Sequence, residues 1–277
     1  LVGSEMCIRD RFSAAWLILV YAPICHWVWG GGWLSDLGVM DFAGGTVVHI
    51  TAGVAALVAA LVLGNRRGFP QQAMPPHNMT LTIMGAGMLW VGWFGFNGGS
   101  ALAANGDAAM AMLATHISAA AGAFTWMLAE KVRFGKPSAL GIVTGMVAGL
   151  GTITPASGFV GPGGALIIGI SAGLVCFYAT IYIKQRLKID DSLDVFPVHG
   201  VGGILGTLLT AVFASNALGV FSGQEDIVIS SQLGVQAIGV VATVVYTGTV
   251  TWLILKLTDV LVGCLLYTSP SPRDSNL

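Results

Sequence analysis

The stretch Gly45–Gly64 reads GTVVHITAGVAALVAALVLG, twenty residues without a charge and with a single imidazole, His49, near its start. About 20 apolar residues is the length that carries a helix across a bilayer. The Val, Ala and Leu side chains suit lipid or close helix packing; the imidazole does not. A polar group in hydrocarbon without a partner costs roughly 2–7 kcal/mol, so His49 needs a partner or a task.

The same composition continues on both sides. The chain has 277 residues, 55% hydrophobic and only 9% charged, where soluble domains carry roughly 25% charged residues. It therefore reads as an integral membrane protein. Eight candidate spans fall at about 12–30, 44–64, 79–97, 107–130, 138–154, 163–184, 197–214 and 231–258. Closed β-barrels also span lipid, but their strands read as short alternating segments. Long Gly/Ala/Leu runs indicate an all-α polytopic bundle.

Charge placement orients the spans. Arg66 and Arg67 follow the second, Lys131, Arg133 and Lys136 the fourth, Lys184, Arg186 and Lys188 the sixth, and Lys256 ends the eighth. The connections at 31–43, 98–106, 155–162 and 215–230 hold no Lys or Arg. The basic side is cytoplasmic by the positive-inside rule. The first span then runs from inside to outside, and the Gln224-Glu225-Asp226 stretch faces outside.

Both ends differ from what lies between. LVGSEMCIRDR and CLLYTSPSPRD resemble translations of a sequencing-library adapter read on opposite strands. ATGTGTATAAGAGACAG encodes Met-Cys-Ile-Arg-Asp, and its reverse complement CTGTCTCTTATACACAT encodes Cys-Leu-Leu-Tyr-Thr in one frame. Residues 1–11 and 264–277 are accordingly set aside as artefact. The native insert is expected at 12–263, as a piece open at both ends. Cys7 and Cys264 leave with the tags; Cys25 and Cys176 lie in apolar spans and read as packing.

A second imidazole sits in the seventh span. Asp41-Phe-Ala-Gly-Gly-Thr-Val-Val-His49 and Asp194-Val-Phe-Pro-Val-His199 each place an aspartate ahead of Val-His, with Gly53 and Gly203 four residues beyond. The two spans run in opposite directions, the pattern of an inverted-repeat transporter with its site near the midplane. One membrane histidine alone could be bonded to a carbonyl and structural, but intramembrane ionisable groups default to function. Paired histidines could also clamp a haem iron or a metal ion. Neither span offers Cys, Asp or Glu beside its histidine on the same face. His26, His77 and His116 are placed near span ends or in loops.

HWVWGGGWL, DFAGGTVVHI, WVGWFGFNGGS, GTITPASGFVGPGGALIIG and DDSLDVFPVHGVGG closely resemble the ammonium transporter branch of the Amt/Mep/Rhesus family. The resemblance covers 12–263 in order. It implies an eleven-helix fold with an inverted five-helix repeat, of which this chain holds the fourth to eleventh helices, and a homotrimer in the cell membrane. Trp29 matches the vestibule tryptophan and Ser100 the vestibule hydroxyl; an indole face attracts a cation by about 1–2 kcal/mol when partly desolvated. Phe96 matches the phenyl ring that gates the pore. Trp93, Asn97 and Thr154 hold motif positions near its outer half, where each could line the path or pack behind it. Asp41 stands where an N-cap would, and a buried carboxylate there also favours a cation. His49 and His199 match the twin histidines of the pore.

That resemblance implies ammonium transport across the cytoplasmic membrane rather than enzymatic chemistry. Ammonium leaves its proton, crosses a hydrophobic lumen as ammonia, and takes hydrogen bonds from the histidine pair where water is scarce. Potassium cannot shed its charge and meets the full cost of desolvation. An ammonium receptor that signals instead of conducting would keep the same vestibule; a bis-histidine haem protein would not carry these motifs. No cofactor, metal or nucleic acid is implied. A PII-type nitrogen-regulatory protein would dock on the basic loops at 65–77, 131–137 and 184–196. With three helices missing, pore-lining groups including His49 are expected to meet lipid.

Overall fold

The computed structural model describes residues 2–216 and 227–262. The stretch 264–277, expected to be artefact, and the Gln224-Glu225-Asp226 stretch lie outside the described residues. Residues 2–11 continue as helix into the first span. All regular structure among the described residues is helical.

Among the described residues, seven helices are long and apolar enough to cross a membrane: α1 (Arg9–Asp36), α2 (Gly45–Leu63), α3 (Met79–Gly99), α4 (Gly106–Phe134), α6 (Pro162–Arg186), α7 (Phe196–Phe213) and α8 (Ile229–Leu261). The expected span at about 138–154 is α5, an apolar helix at Ala139–Ile153 that is shorter than these seven. Pro155 supplies no N–H to extend its ladder, and the buried turns at 154–157 follow instead. Helix α1 runs unbroken to Trp29, breaks at 30–32, and ends in one turn at Trp33–Asp36.

Side-chain caps fix the starts of three helices. Asn78 accepts from Leu81 N at 3.0 Å, Asn105 from Ala108 N at 3.1 Å, and Ser138 Oγ from Gly141 N at 2.8 Å, opening α3, α4 and α5. Helix α4 closes on Gly135 in the left-handed region, φ +80°. Helices α4 and α5 approach backbone to backbone: a Cβ on Gly122 would lie 2.5 Å from Gly145 O. Trp126, Ala148, Ala172, Cys176 and Phe177 fill the junction of α4, α5 and α6. Cys25 and Cys176 are both free thiols. His116, expected near a span end or in a loop, lies inside α4 with its ring 5.2 Å from that of Trp90. Helix α3 is the least covered span, its glycines 85, 87, 92 and 95 facing open space.

The loops after α2 and α6 are tied by charge. Arg66 takes Asp190 in a fork, Nε to Oδ2 at 2.8 Å and Nη2 to Oδ1 at 2.7 Å, and its main-chain N–H adds a third bond at 2.8 Å. This hydrogen bonding to Arg66 holds the buried Asp190 carboxyl below its usual range. Lys184 lies 2.7 Å from Asp194, whose carboxyl burial pushes up against that pull. A depressed carboxyl contributes stability above its ordinary pKa of about 4 and loses it as the pH falls further. Arg66→Ala is therefore expected to cost about 2 kcal/mol at neutral pH. The melting difference from the parent should shrink below about pH 4. A difference independent of pH from 3 to 7 would refute this account.

Candidate functional site

The site is made where α2 and α7 cross. Both begin with a π-helical turn, Gly45–Ile50 and Phe196–Gly200, and each turn holds a histidine. His49 N bonds Gly44 O at 2.9 Å, five residues back, and Val201 N likewise bonds Phe196 O. The extra residue per turn re-aims side chains, a distortion frequent at functional sites. Gly53 and Gly200 let the helices touch: a Cβ on Gly53 would lie 2.3 Å from Gly200 Cα. His49 and His199 Nδ1 atoms consequently stand 3.2 Å apart, their ring planes 23° from parallel.

Aspartates anchor both turns. The Asp41 carboxylate accepts from the main-chain N–H of Gly44 at 2.8 Å, Gly45 at 2.6 Å, Thr46 at 2.8 Å and Val47 at 3.2 Å, and from the Thr46 hydroxyl. The N-cap position itself is Gly44, φ +118°, so Asp41 caps from three residues upstream. In the second half-site the corresponding residue is Asp191, not Asp194. Asp191 stands eight residues before His199, as Asp41 stands eight before His49, and its Oδ2 accepts from Phe196 N at 2.7 Å. Asp194 is instead bound to Lys184. The equal spacing was the signal for Asp191, hidden behind the nearer aspartate beside Val-Phe.

Thr154, at the end of α5, is the hub behind the pair. Its hydroxyl donates to Leu150 O at 2.8 Å, so its oxygen is left to accept. Trp93 Nε1–H donates to it at 3.0 Å, and His49 Nε2 stands 3.1 Å away. His49 Nε2 must then carry a proton, which makes His49 Nδ1 an acceptor and His199 Nδ1 the donor to it. His199 Nε2 is left with a free lone pair.

His49, His199, Trp93 and Phe96 line a cavity of about 680 Å³ with apolar neighbours that include Val48 and Met88. The Trp93 and His49 rings lie 5.3 Å apart and 14° from parallel, and Phe96 stands 6.2 Å from His49. His49 is only 3% exposed, which corrects the expectation that it meets lipid: His199, Trp93 and Thr154 cover it. Asn97 is turned from the cavity to α4, where its Nδ2 donates to Thr115 Oγ at 2.8 Å. No cluster of three metal-ligating side chains occurs among the described residues.

Comparison with known proteins agrees over nearly the whole chain. Residues 8–271 match the model of the Ammonium Transporter Family. The chain belongs to the ammonium transporter family. Among curated relatives, ammonium transporter Amt1 of Archaeoglobus fulgidus is 47% identical over 255 residues, which are 91% of this chain and 63% of the relative. The Saccharomyces cerevisiae Mep2 crystal structure superposes with a TM-score of 0.82 at 40% identity, covering 90% of this chain and 57% of that one. A sensor Amt protein gives 0.79 at 36% identity, covering 87% and 62%. The chain thus spans a little under two thirds of the length of the relative it matches. It is a multi-pass protein of the plasma membrane, in a family of transporters rather than enzymes.

Two further residues of this family member lie at helix ends. Trp29 is 43% exposed, its Nε1–H fixed on Asp41 O at 2.8 Å. Ser100 Oγ donates to Phe96 O at 2.9 Å, which leaves its lone pairs to accept. Trp29 and Ser100 share no hydrogen bond. Thr115 and Asp191 escaped the sequence reading, one because a threonine among alanines looks like packing.

Proposed function

We propose that the complete protein moves ammonium across the cytoplasmic membrane. It recruits the cation at an outer vestibule formed with Trp29 and Ser100, takes a proton from it that is relayed separately along the His49–His199 pair, and passes ammonia beside Phe96, Trp93 and that pair, so that one positive charge crosses with each ammonia. The observation that carries this is the contact of two histidines at 3.2 Å inside an otherwise apolar cavity. Its physics is selective. An apolar lumen rejects an ion that must keep its charge, while the fixed bonding order leaves His199 Nε2 to accept an N–H from ammonia. The Asp41 carboxylate accepts from helix N–H groups near Trp29, a favourable setting for a cation. Thr154 supports the pair from behind, and Asn97 supports α3 rather than lining the path. The homotrimer, and a PII-type regulator on the basic loops at 65–77, 131–137 and 184–196, are part of the same proposal.

Reconstituted in liposomes, the full-length protein is expected to give a current with ammonium and none with potassium. His49→Ala and His199→Ala should each change it by at least about ten-fold or admit potassium, since each removes one ring of a shared hydrogen bond. Ammonium binding without flux in either substitution's parent would favour a sensor, the role named for one of the similar structures.

A further inference from the structure

Three helices hold the histidine pair from behind, and two of them, α4 and α5, have no residue in the cavity lining. Trp93 sits on α3 and Thr154 just beyond α5; both must keep their place for His49 Nε2 to keep its donor role. Helix α3 has little cover of its own, with open space beside several of its glycines. Besides the Trp93 bond to Thr154, α3 is tied to a neighbour four residues past Trp93, where Asn97 Nδ2 donates to Thr115 Oγ1 at 2.8 Å. Residues four apart lie on one helix face, so this bond sets the rotation of α3 that aims the Trp93 indole. The Thr115 hydroxyl in turn donates to Ala111 O at 2.6 Å, which turns its lone pairs toward Asn97. Three residues on, Ser118 Oγ donates to Gly149 O at 2.8 Å on α5. Gly149 stands five residues before Thr154. Thr115 and Ser118 are both 0% exposed.

We propose that Thr115 and Ser118 of α4 are positioning residues for the histidine pair, one anchoring the helix that carries Trp93 and the other the helix that leads to Thr154. The two hydroxyls lie within one turn, so α4 sets the spacing of α3 and α5 as a jig does. Losing either lets Trp93 or Thr154 drift. His49 Nε2 then has no fixed acceptor, and its proton is free to sit on Nδ1. The link to flux rests on the transport reading above; the link to histidine tautomers does not.

The test separates the two. The full-length protein, labelled with ¹⁵N-histidine, is compared with Thr115→Val and Thr115→Ser. The parent should show His49 protonated on Nε2 and His199 on Nδ1. Thr115→Val, which keeps the shape and removes the hydroxyl, should mix the tautomers at His49. It should also lower ammonium flux about ten-fold at unchanged KM, the scale of a small misplacement. Thr115→Ser should restore both. Where Thr115→Val does not accumulate, Ser118→Ala carries the same expectations without added volume. A parent-like imidazole spectrum in a folded Thr115→Val or Ser118→Ala variant overturns the proposal, whatever happens to flux. Fixed tautomers in a parent that moves no ammonium, mixed in Thr115→Val, uphold the positioning role and remove only the transport reading; mixed tautomers in the parent itself overturn the proposal.

Discussion

Asp41→Ala is expected to leave little folded protein. The Asp41 carboxylate is the acceptor for four main-chain N–H groups and the Thr46 hydroxyl, and the residue is 6% exposed. Alanine offers those donors nothing. Each buried donor left unpaired costs about 1–3 kcal/mol, so the loss is at least about 4 kcal/mol against a total stability of about 5–15 kcal/mol. Asp41→Asn keeps one acceptor oxygen and turns an amide against the remaining donors, so it should fall between. Yield and thermal melting in detergent read both. A melting point for Asp41→Ala within a few degrees of the parent would mean that water or another group caps α2.

Gly53→Ala is expected to abolish transport, although alanine favours a helix over glycine by about 1 kcal/mol. The new methyl would meet Gly200 Cα and N at 2.3 Å, and main-chain atoms have no rotamer to retreat into. Helices α2 and α7 must part by more than an ångström, enough to break the 3.2 Å contact between His49 and His199. A displacement of that size lowers a geometry-dependent rate about a hundred-fold. Gly234→Ala, with nothing within 4 Å of its new methyl, is the control and should transport as the parent does. Parent-like ammonium flux in Gly53→Ala would show that the histidine contact is not needed for the path.

Much of this was legible in the chain because of where it resides. The membrane passes follow from length and apolar composition, and α5, expected at about 138–154, runs over Ala139–Ile153, ended by Pro155 and the buried turns around it. The histidine repeat was visible, but its register was not. Asp194 lies nearer to His199 and shares Val and Phe with the expected pattern, whereas Asp191 bonds the helix start. Asn97, which within WFGFNGGS could either line the path or pack behind it, faces Thr115. Position within a motif does not say which way a helix is turned.

The sequence by itself determined a helical, multi-pass bundle and two histidines awaiting partners. The reason is that hydrocarbon leaves a spanning backbone only self-satisfied structures, and helices are what these runs of residues build. The partners were decided by tertiary structure alone. Thr154 is 105 residues from His49, Trp93 is 61 from Thr154, and the two histidines are 150 apart. A hydrogen bond is made or lost within a few tenths of an ångström. Distances that fine are set by glycine crossings and helix rotations, which no single stretch of the chain contains.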